Sequence, residues 1–171
     1  MEDVKQAIRD IADFPKPGIL FKDLTPVIAD PLLMSKVTQG LSHPFRDENI
    51  SAVAGMEARG FIFGSLVAQA LNVGFVPLRK PGKLPAATHA VSYDLEYGQA
   101  TLEMHQDAVT QGDRVLLVDD LIATGGTAVA SCELIEAAGA TVAACAFVVE
   151  LDFLNGRQSL DKYKIHSLIN F

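Results

Sequence analysis

The sequence predicts an α/β protein whose central, mostly parallel sheet is flanked by helices. Three observations carry that prediction. Short apolar runs alternate with stretches of helical periodicity, the pattern of successive βαβ units. Those runs, such as 142–149, are almost continuously apolar, as strands covered on both faces are. A glycine-rich turn, Thr124 to Thr127, follows one such run and opens the next helical stretch.

The elements follow in order. Val4, Ala7, Ile8, Ile11 and Ala12 recur at helical spacing and predict an amphipathic helix over 2–13. "FPKPG", 14–18, ends it, because each proline lacks an N–H and restrains the residue before it. After a segment around 19–21, residues 30–41 predict a second helix, with Asp30 as its cap and Pro31 at its first position. "ISAVAG", 50–55, is a short apolar run, 61–71 reads as a helix and 73–79 as extended. "KPGKLPAATHA", 80–90, has no periodicity and reads as a loop. "VSYDLEYG" and "QATLEMH" read as two strands joined around Gly98. Residues 114–120 predict a strand, 124–139 a helix ended by Gly139, and 141–151 a further strand. The first 45 residues, helical and loop-like, predict a small appendage on this core, so 1–171 reads as one domain.

Composition bounds the function. A chain of 171 residues, 49% hydrophobic and 20% charged, suits one domain of the usual ~100–200 residues. The net charge of −7 argues against general nucleic-acid binding, which needs a basic face to neutralise phosphates. A small anion remains a suitable ligand, because Arg79, Lys80 and Lys83 form a local cationic cluster. Cys132 and Cys145 make no CxxC pair and read as packed, reduced thiols. The N-terminus lacks a signal-peptide pattern, and no apolar run approaches the ~20 residues of a membrane span. The expected setting is the cytoplasm, away from membranes. His43, His89, His105 and His166 show no metal-ligand spacing.

The stretch "VLLVDDLIATGGT", 115–127, carries most of the chemistry. In an α/β sheet, ligands sit beyond the carboxyl ends of the strands, where Asp119 and Asp120 fall. Thr124, Gly125, Gly126 and Thr127 come at the start of the next helix, whose free N–H groups and partial positive charge suit a phosphate. Carboxylates repel a phosphate, so the aspartates suit sugar hydroxyls or a hydrated cation instead. The spacing matches neither the P-loop nor the dinucleotide fingerprint. Taken singly, such a turn is a weak signal that often reflects only tight packing, and adjacent aspartates are more often a solvated edge or a cap.

As a whole, that stretch resembles the thirteen-residue signature of the type I phosphoribosyltransferases. "DFPKPGILFKDLTP" (13–26), "GMEARGFIFG" (55–64), "LRKPGKLP" (78–85) and "SYDLEYG" (92–98) resemble, in the same order, the members of that family that act on adenine. The resemblance runs from about residue 3 to residue 170. It implies the type I phosphoribosyltransferase fold, with 1–45 as an N-terminal hood contributing to the base site. It also implies the purine-salvage conversion of adenine and 5-phospho-α-D-ribose 1-diphosphate to AMP and pyrophosphate. A homodimer and Mg²⁺ bound mainly through the substrate follow from the same resemblance.

The resemblance also distributes roles. Ala123, Thr124, Gly125, Gly126 and Thr127 would take the 5′-phosphate, and Asp119 and Asp120 the ribose hydroxyls. Glu57, Ala58 and Arg59, in a loop that often carries a non-proline cis peptide in the family, would take pyrophosphate with Arg79 and Lys83. Leu20, Phe21 and Lys22 would meet adenine, Phe21 by its ring and the other two by backbone groups. Many relatives have arginine where Lys22 stands, so the planar fork is lost there. Tyr97 would belong to a closing loop, and Glu96 would contact adenine N7 and assist proton movement. Two alternatives are a phosphoribosyl pyrophosphate sensor without turnover and a transferase acting on hypoxanthine or guanine. No added nucleic-acid module appears and Glu96 is present, which disfavours the first; "FPKPGILFKD" disfavours the second by resemblance.

Overall fold

The computed structural model of the chain describes residues 1–94 and 99–171. The chain begins with α1 (Glu2–Ala7), β1 (Arg9–Ala12), β2 (Leu20–Asp23), α2 (Thr25–Ala29) and α3 (Pro31–Ser42). There follow β3 (Ala52–Met56), α4 (Arg59–Leu71), β4 (Gly74–Leu78), β5 (Thr88–Asp94) and β6 (Gln99–His105). It closes with β7 (Arg114–Ile122), α5 (Gly126–Ala137), β8 (Thr141–Glu150) and β9 (Ile165–Asn170).

Five strands form one parallel sheet in the order β4-β3-β7-β8-β9. The middle strand, β7, shows why its sequence is a solid apolar run. Val115 and Leu117 pack with Leu134 and Ile135 of α5 on one face. Leu116 and Val118 pack with Phe63 and Val67 of α4 and Val37 of α3 on the other. All four β7 residues are fully buried, and each such side chain contributes about 1.5–3 kcal/mol by leaving water. The predicted parallel α/β sheet is therefore present, with helices on both faces.

Several segments depart from the sequence reading, among them α2, which had no sequence-based reading. The helix predicted over 2–13 stops at Ile8, which is extended (φ −70°, ψ 126°). Arg9–Ala12 instead pairs antiparallel with Leu20–Asp23, in the register Arg9↔Asp23 to Ala12↔Leu20. The turn between them is built for that pairing: Gly18 takes φ +87° and its N–H donates to the Asp13 carboxylate at 2.8 Å. Long-range strand pairing thus overrides local periodicity. The loop predicted over 80–90 ends at Thr88, where β5 starts its antiparallel ribbon with β6. The strand read as 114–120 continues to Ile122, because β8 keeps pairing beside it as far as Ile122↔Glu150. The edge strand β9 had no sequence-based reading.

Other readings hold. Asp30 caps α3, accepting from the N–H groups of Leu32 and Leu33. Gly139, at φ +88°, follows α5 as a left-handed terminator. Cys132 and Cys145 are buried free thiols with their sulfurs 3.6 Å apart. Among the described residues, no helix is long and apolar enough to cross a membrane.

Candidate active site

The carboxyl ends of β3 and β7 meet the start of α4 and the turn before α5. Ala123 to Thr127 lead from β7 into α5, and Gly125 reaches the left-handed region at φ +86° as the residue preceding that helix. The first N–H groups of α5 have no carbonyl partner within the helix, so the turn presents free donors and a partial positive charge. A cavity is lined here by Asp119, Leu121, Thr124, Gly125, Gly126 and Thr127.

The two aspartates have different partners. Asp120 is buried and accepts a hydrogen bond from Nε of Arg59, the first residue of α4. Asp119 accepts from the backbone N–H of Asp120 at 2.8 Å and faces the cavity of the glycine turn. Burial, and then the neighbouring Asp120 charge, push the Asp119 carboxyl well above its ordinary 3.8. Gly60 is required beside it, because a Cβ there would lie 2.7 Å from Asp119 Oδ1.

The turn after β3 carries Glu57 and Ala58, joined by a cis peptide. The Glu57 carboxylate accepts from Arg79 Nη2 at 3.1 Å, from Arg79 Nε at 3.3 Å and from the Lys80 N–H at 3.1 Å. The Arg79 guanidinium and the Lys80 N–H hold that carboxyl below its ordinary 4.5. Arg79 also donates from Nη1 to the Lys83 carbonyl at 3.0 Å. The basic loop is thereby clamped onto the turn bearing Arg59. A second cavity, lined by Glu57, Lys80, Pro81, Tyr93, Thr101 and Thr127, adjoins the first through Thr127.

The N-terminal ribbon approaches from the other side. Phe21 packs edge-on against Phe14, with centroids 5.1 Å apart, and the Arg59 guanidinium carbon stands 5.7 Å from the Phe21 ring centroid. Leu20 is exposed. The Lys22 ammonium is 2.6 Å from Asp10 Oδ1 and 3.9 Å from the Phe171 ring centroid. Its side chain is thus engaged within the ribbon and the C-terminus. Glu96 and Tyr97 lie outside the described residues.

The structure therefore brings together Phe21, Arg59, Asp120, Asp119 and the 123–127 turn, with Glu57, Arg79 and Lys83 on the adjoining side. Sequence reasoning missed Tyr93, whose hydroxyl is 3.2 Å from Thr127 Oγ1. It stood inside the quoted "SYDLEYG" but had no spacing of its own to mark it. Ser159, whose hydroxyl donates to the Thr124 carbonyl at 3.1 Å, comes from a stretch without any periodic signal. Among the described residues, no three His, Cys, Asp or Glu side chains converge to hold a metal.

Comparison with known proteins gives consistent matches. The phosphoribosyl transferase domain family matches residues 28–169. The adenine phosphoribosyltransferase of Nitrosococcus oceani is 62% identical over 171 residues, covering 100% of both chains. Among solved structures, that of adenine phosphoribosyltransferase from Thermoanaerobacter pseudethanolicus has a TM-score of 0.97 at 51% identity, covering 99% of each chain. The Saccharomyces cerevisiae enzyme, complexed with adenine and D-2,5-dideoxy-2,5-imino-altritol 1,6-bisphosphate, gives 0.93 at 41% identity, covering 98% of this chain and 97% of its own.

Proposed function

The chain belongs to the phosphoribosyl transferase family, and from that premise we infer both its reaction and the residues that run it. It is an adenine phosphoribosyltransferase, a pentosyl transferase that converts adenine and 5-phospho-α-D-ribose 1-diphosphate to AMP and pyrophosphate. The observation that best supports the assignment of residues is the pair of adjoining cavities sharing Thr127. One presents a helix N-terminus and a carboxylate; the other lies against a basic loop. That is the outline of a ligand with a phosphate at one end, hydroxyls in the middle and a diphosphate at the other.

In this reading the turn Ala123–Thr127 holds the 5′-phosphate through backbone N–H groups and threonine hydroxyls. Asp119 and Asp120 accept hydrogen bonds from the ribose hydroxyls, and Arg59 stabilises Asp120 while its guanidinium borders the Phe21 ring. Adenine lies against Phe21, its edge read by backbone groups of Leu20 and Lys22. As the bond from the anomeric carbon to the diphosphate oxygen breaks, its electrons leave with pyrophosphate and the carbon gains oxocarbenium character. Arg59, Arg79 and Lys83, with backbone groups of Glu57 and Ala58, stabilise the departing charge. The adenine ring nitrogen forms the new bond and gives up a proton, with Glu96 at N7 assisting that movement. Tyr97 belongs to the loop that closes over the substrates and excludes water from the reactive sugar.

Magnesium would arrive with the substrate, held largely by the substrate's oxygens and water, and would supply positive charge at the diphosphate, with Asp119 the carboxylate lining the adjoining cavity. The reading includes a homodimer and a reducing cytoplasmic setting, the latter supported by the two buried free thiols. Crystals grown with AMP test the assignment. Density for the phosphate at Gly125–Thr127 and for the base at Phe21 is expected; AMP seated elsewhere contradicts it.

A further inference from the structure

The glycine turn has a seat behind it, and an ion pair between a buried carboxylate and a half-exposed arginine holds that seat in place. A loop that aims its N–H groups at a phosphate turns carbonyls outward, and those need partners and a fixed backing. The chain supplies both from the segment after β8. Leu151 N–H donates to the Ile122 carbonyl at 3.1 Å. The backbone then makes two short 3₁₀ turns, Asp152–Leu154 and Gly156–Leu160, joined by Asn155 in the left-handed region at φ 54°. The second turn packs directly against the loop. A Cβ on Gly156 would stand 2.1 Å from the Ala123 carbonyl oxygen, and one on Gly125 would stand 2.6 Å from the Gly156 carbonyl oxygen. The Ser159 hydroxyl donates to the Thr124 carbonyl. Ile122, Ala123, Thr124 and Gly125 are thus each met by this segment.

What keeps the segment there is Glu150, the last residue of β8. The residue is 5% exposed, and its carboxylate accepts three hydrogen bonds. Arg157 donates from Nε at 2.8 Å and from Nη2 at 2.5 Å, in the two-pronged geometry that fixes orientation as well as distance, and Ser167 Oγ donates at 2.6 Å. Arg157 is the neighbour of Gly156, so the pair ties the end of β8 to the residue that touches Ala123. Leu160, fully buried, anchors the far end.

We propose that Glu150 and Arg157 are positioning residues for the phosphate loop: they press Gly156 and Ser159 against Ala123–Gly125 and so set the affinity for any ligand carrying the 5′-phosphate. Neither residue touches the ligand. The proposal rests on the reading of 123–127 as the phosphate site.

The test measures binding of ribose 5-phosphate by calorimetry, and steady-state KM for adenine, in four variants. Arg157→Gln should weaken ribose 5-phosphate by about tenfold, which corresponds to about 1.4 kcal/mol. Arg157→Lys, which keeps the charge without the fork, should recover part of that loss. Ser159→Ala removes one exposed hydroxyl and should weaken binding by about two- to threefold. KM for adenine should stay within about twofold in each, a split that general damage to the fold would not produce. Thr127→Ala, altering the loop itself, is the control. If Thr127→Ala weakens ribose 5-phosphate while the Arg157 and Ser159 variants bind like the parent, the positioning role is wrong and the phosphate site stands. If Thr127→Ala changes nothing, the site reading falls and the proposal with it. Equal losses for ribose 5-phosphate and adenine also overturn the positioning role. Should Arg157→Gln fail to fold, Ser159→Ala decides: unchanged affinity rejects the proposal.

Discussion

Arg59 pairs with the buried carboxylate of Asp120, joining the first turn of α4 to β7, and the same guanidinium borders the ring of Phe21. One cation therefore connects the element proposed to read the base with the carboxylates proposed to hold the sugar.

Asp120→Asn keeps a hydrogen-bond acceptor for Arg59 but removes the charge. Binding of the sugar phosphate should weaken, and kcat/KM should fall by about 10- to 100-fold, or about 1.4–2.7 kcal/mol of transition-state stabilisation. Unaltered kinetics would remove Asp120 from the site.

Asp119 sets a pH dependence whose two signs differ. A carboxyl whose pKa is higher folded than unfolded stabilises the native state fully below its unfolded value, 3.8, and loses that contribution as pH rises through the folded value. Asp119→Asn should therefore stabilise the ligand-free protein at neutral pH, read as a higher midpoint in denaturant unfolding. It should also weaken ribose 5-phosphate, because the ionised group is the better acceptor for sugar hydroxyls. In the parent protein, affinity should fall as pH drops through the raised pKa. That limb should move to lower pH in Asp120→Asn, where the neighbouring charge is gone. An acid limb in the same place would remove Asp120 as its cause.

Tyr93→Phe deletes the hydroxyl that meets Thr127 across the boundary of the two cavities. A lost hydrogen bond of this kind costs about 0.5–1.5 kcal/mol. The expected result is a lower melting temperature with a several-fold rise in KM for the diphosphate substrate. Identical values for both would make the contact incidental.

Glu96→Gln should chiefly slow turnover, since proton transfer by a positioned side chain is worth about 10²–10⁴-fold. Rapid-quench measurement separates that step from binding. An unchanged rate of AMP formation would end the proton-transfer role.

Much of this architecture is legible in the sequence, for physical reasons that also mark where legibility stops. The run from Val115 to Val118 announces a strand because both of its faces are buried, and Asp30 announces a helix start because its carboxylate serves the next turn's N–H groups. The threonine–glycine turn is legible as a candidate anion site only through the longer stretch 115–127, since alone it fits tight packing equally well. The ribbon of β1 and β2 is invisible, since Ile11 and Ala12 fit a helical face until Phe21 and Leu20 arrive as strand partners. Asp119's perturbed carboxyl is equally hidden, because burial depends on Gly60 and α4 closing over it. Ser159 meets the glycine turn only because the segment after β8 folds back onto the loop that follows β7. Local chemistry can be read from neighbours in the chain, whereas these contacts exist only once distant segments meet.

The most direct test of the central claim follows pyrophosphate release with adenine, hypoxanthine, guanine and xanthine in parallel, each with 5-phospho-α-D-ribose 1-diphosphate and Mg²⁺. Turnover of adenine alone is the predicted result. Turnover of another base in its place, or tight binding of the sugar diphosphate with no pyrophosphate released from any base, would contradict it.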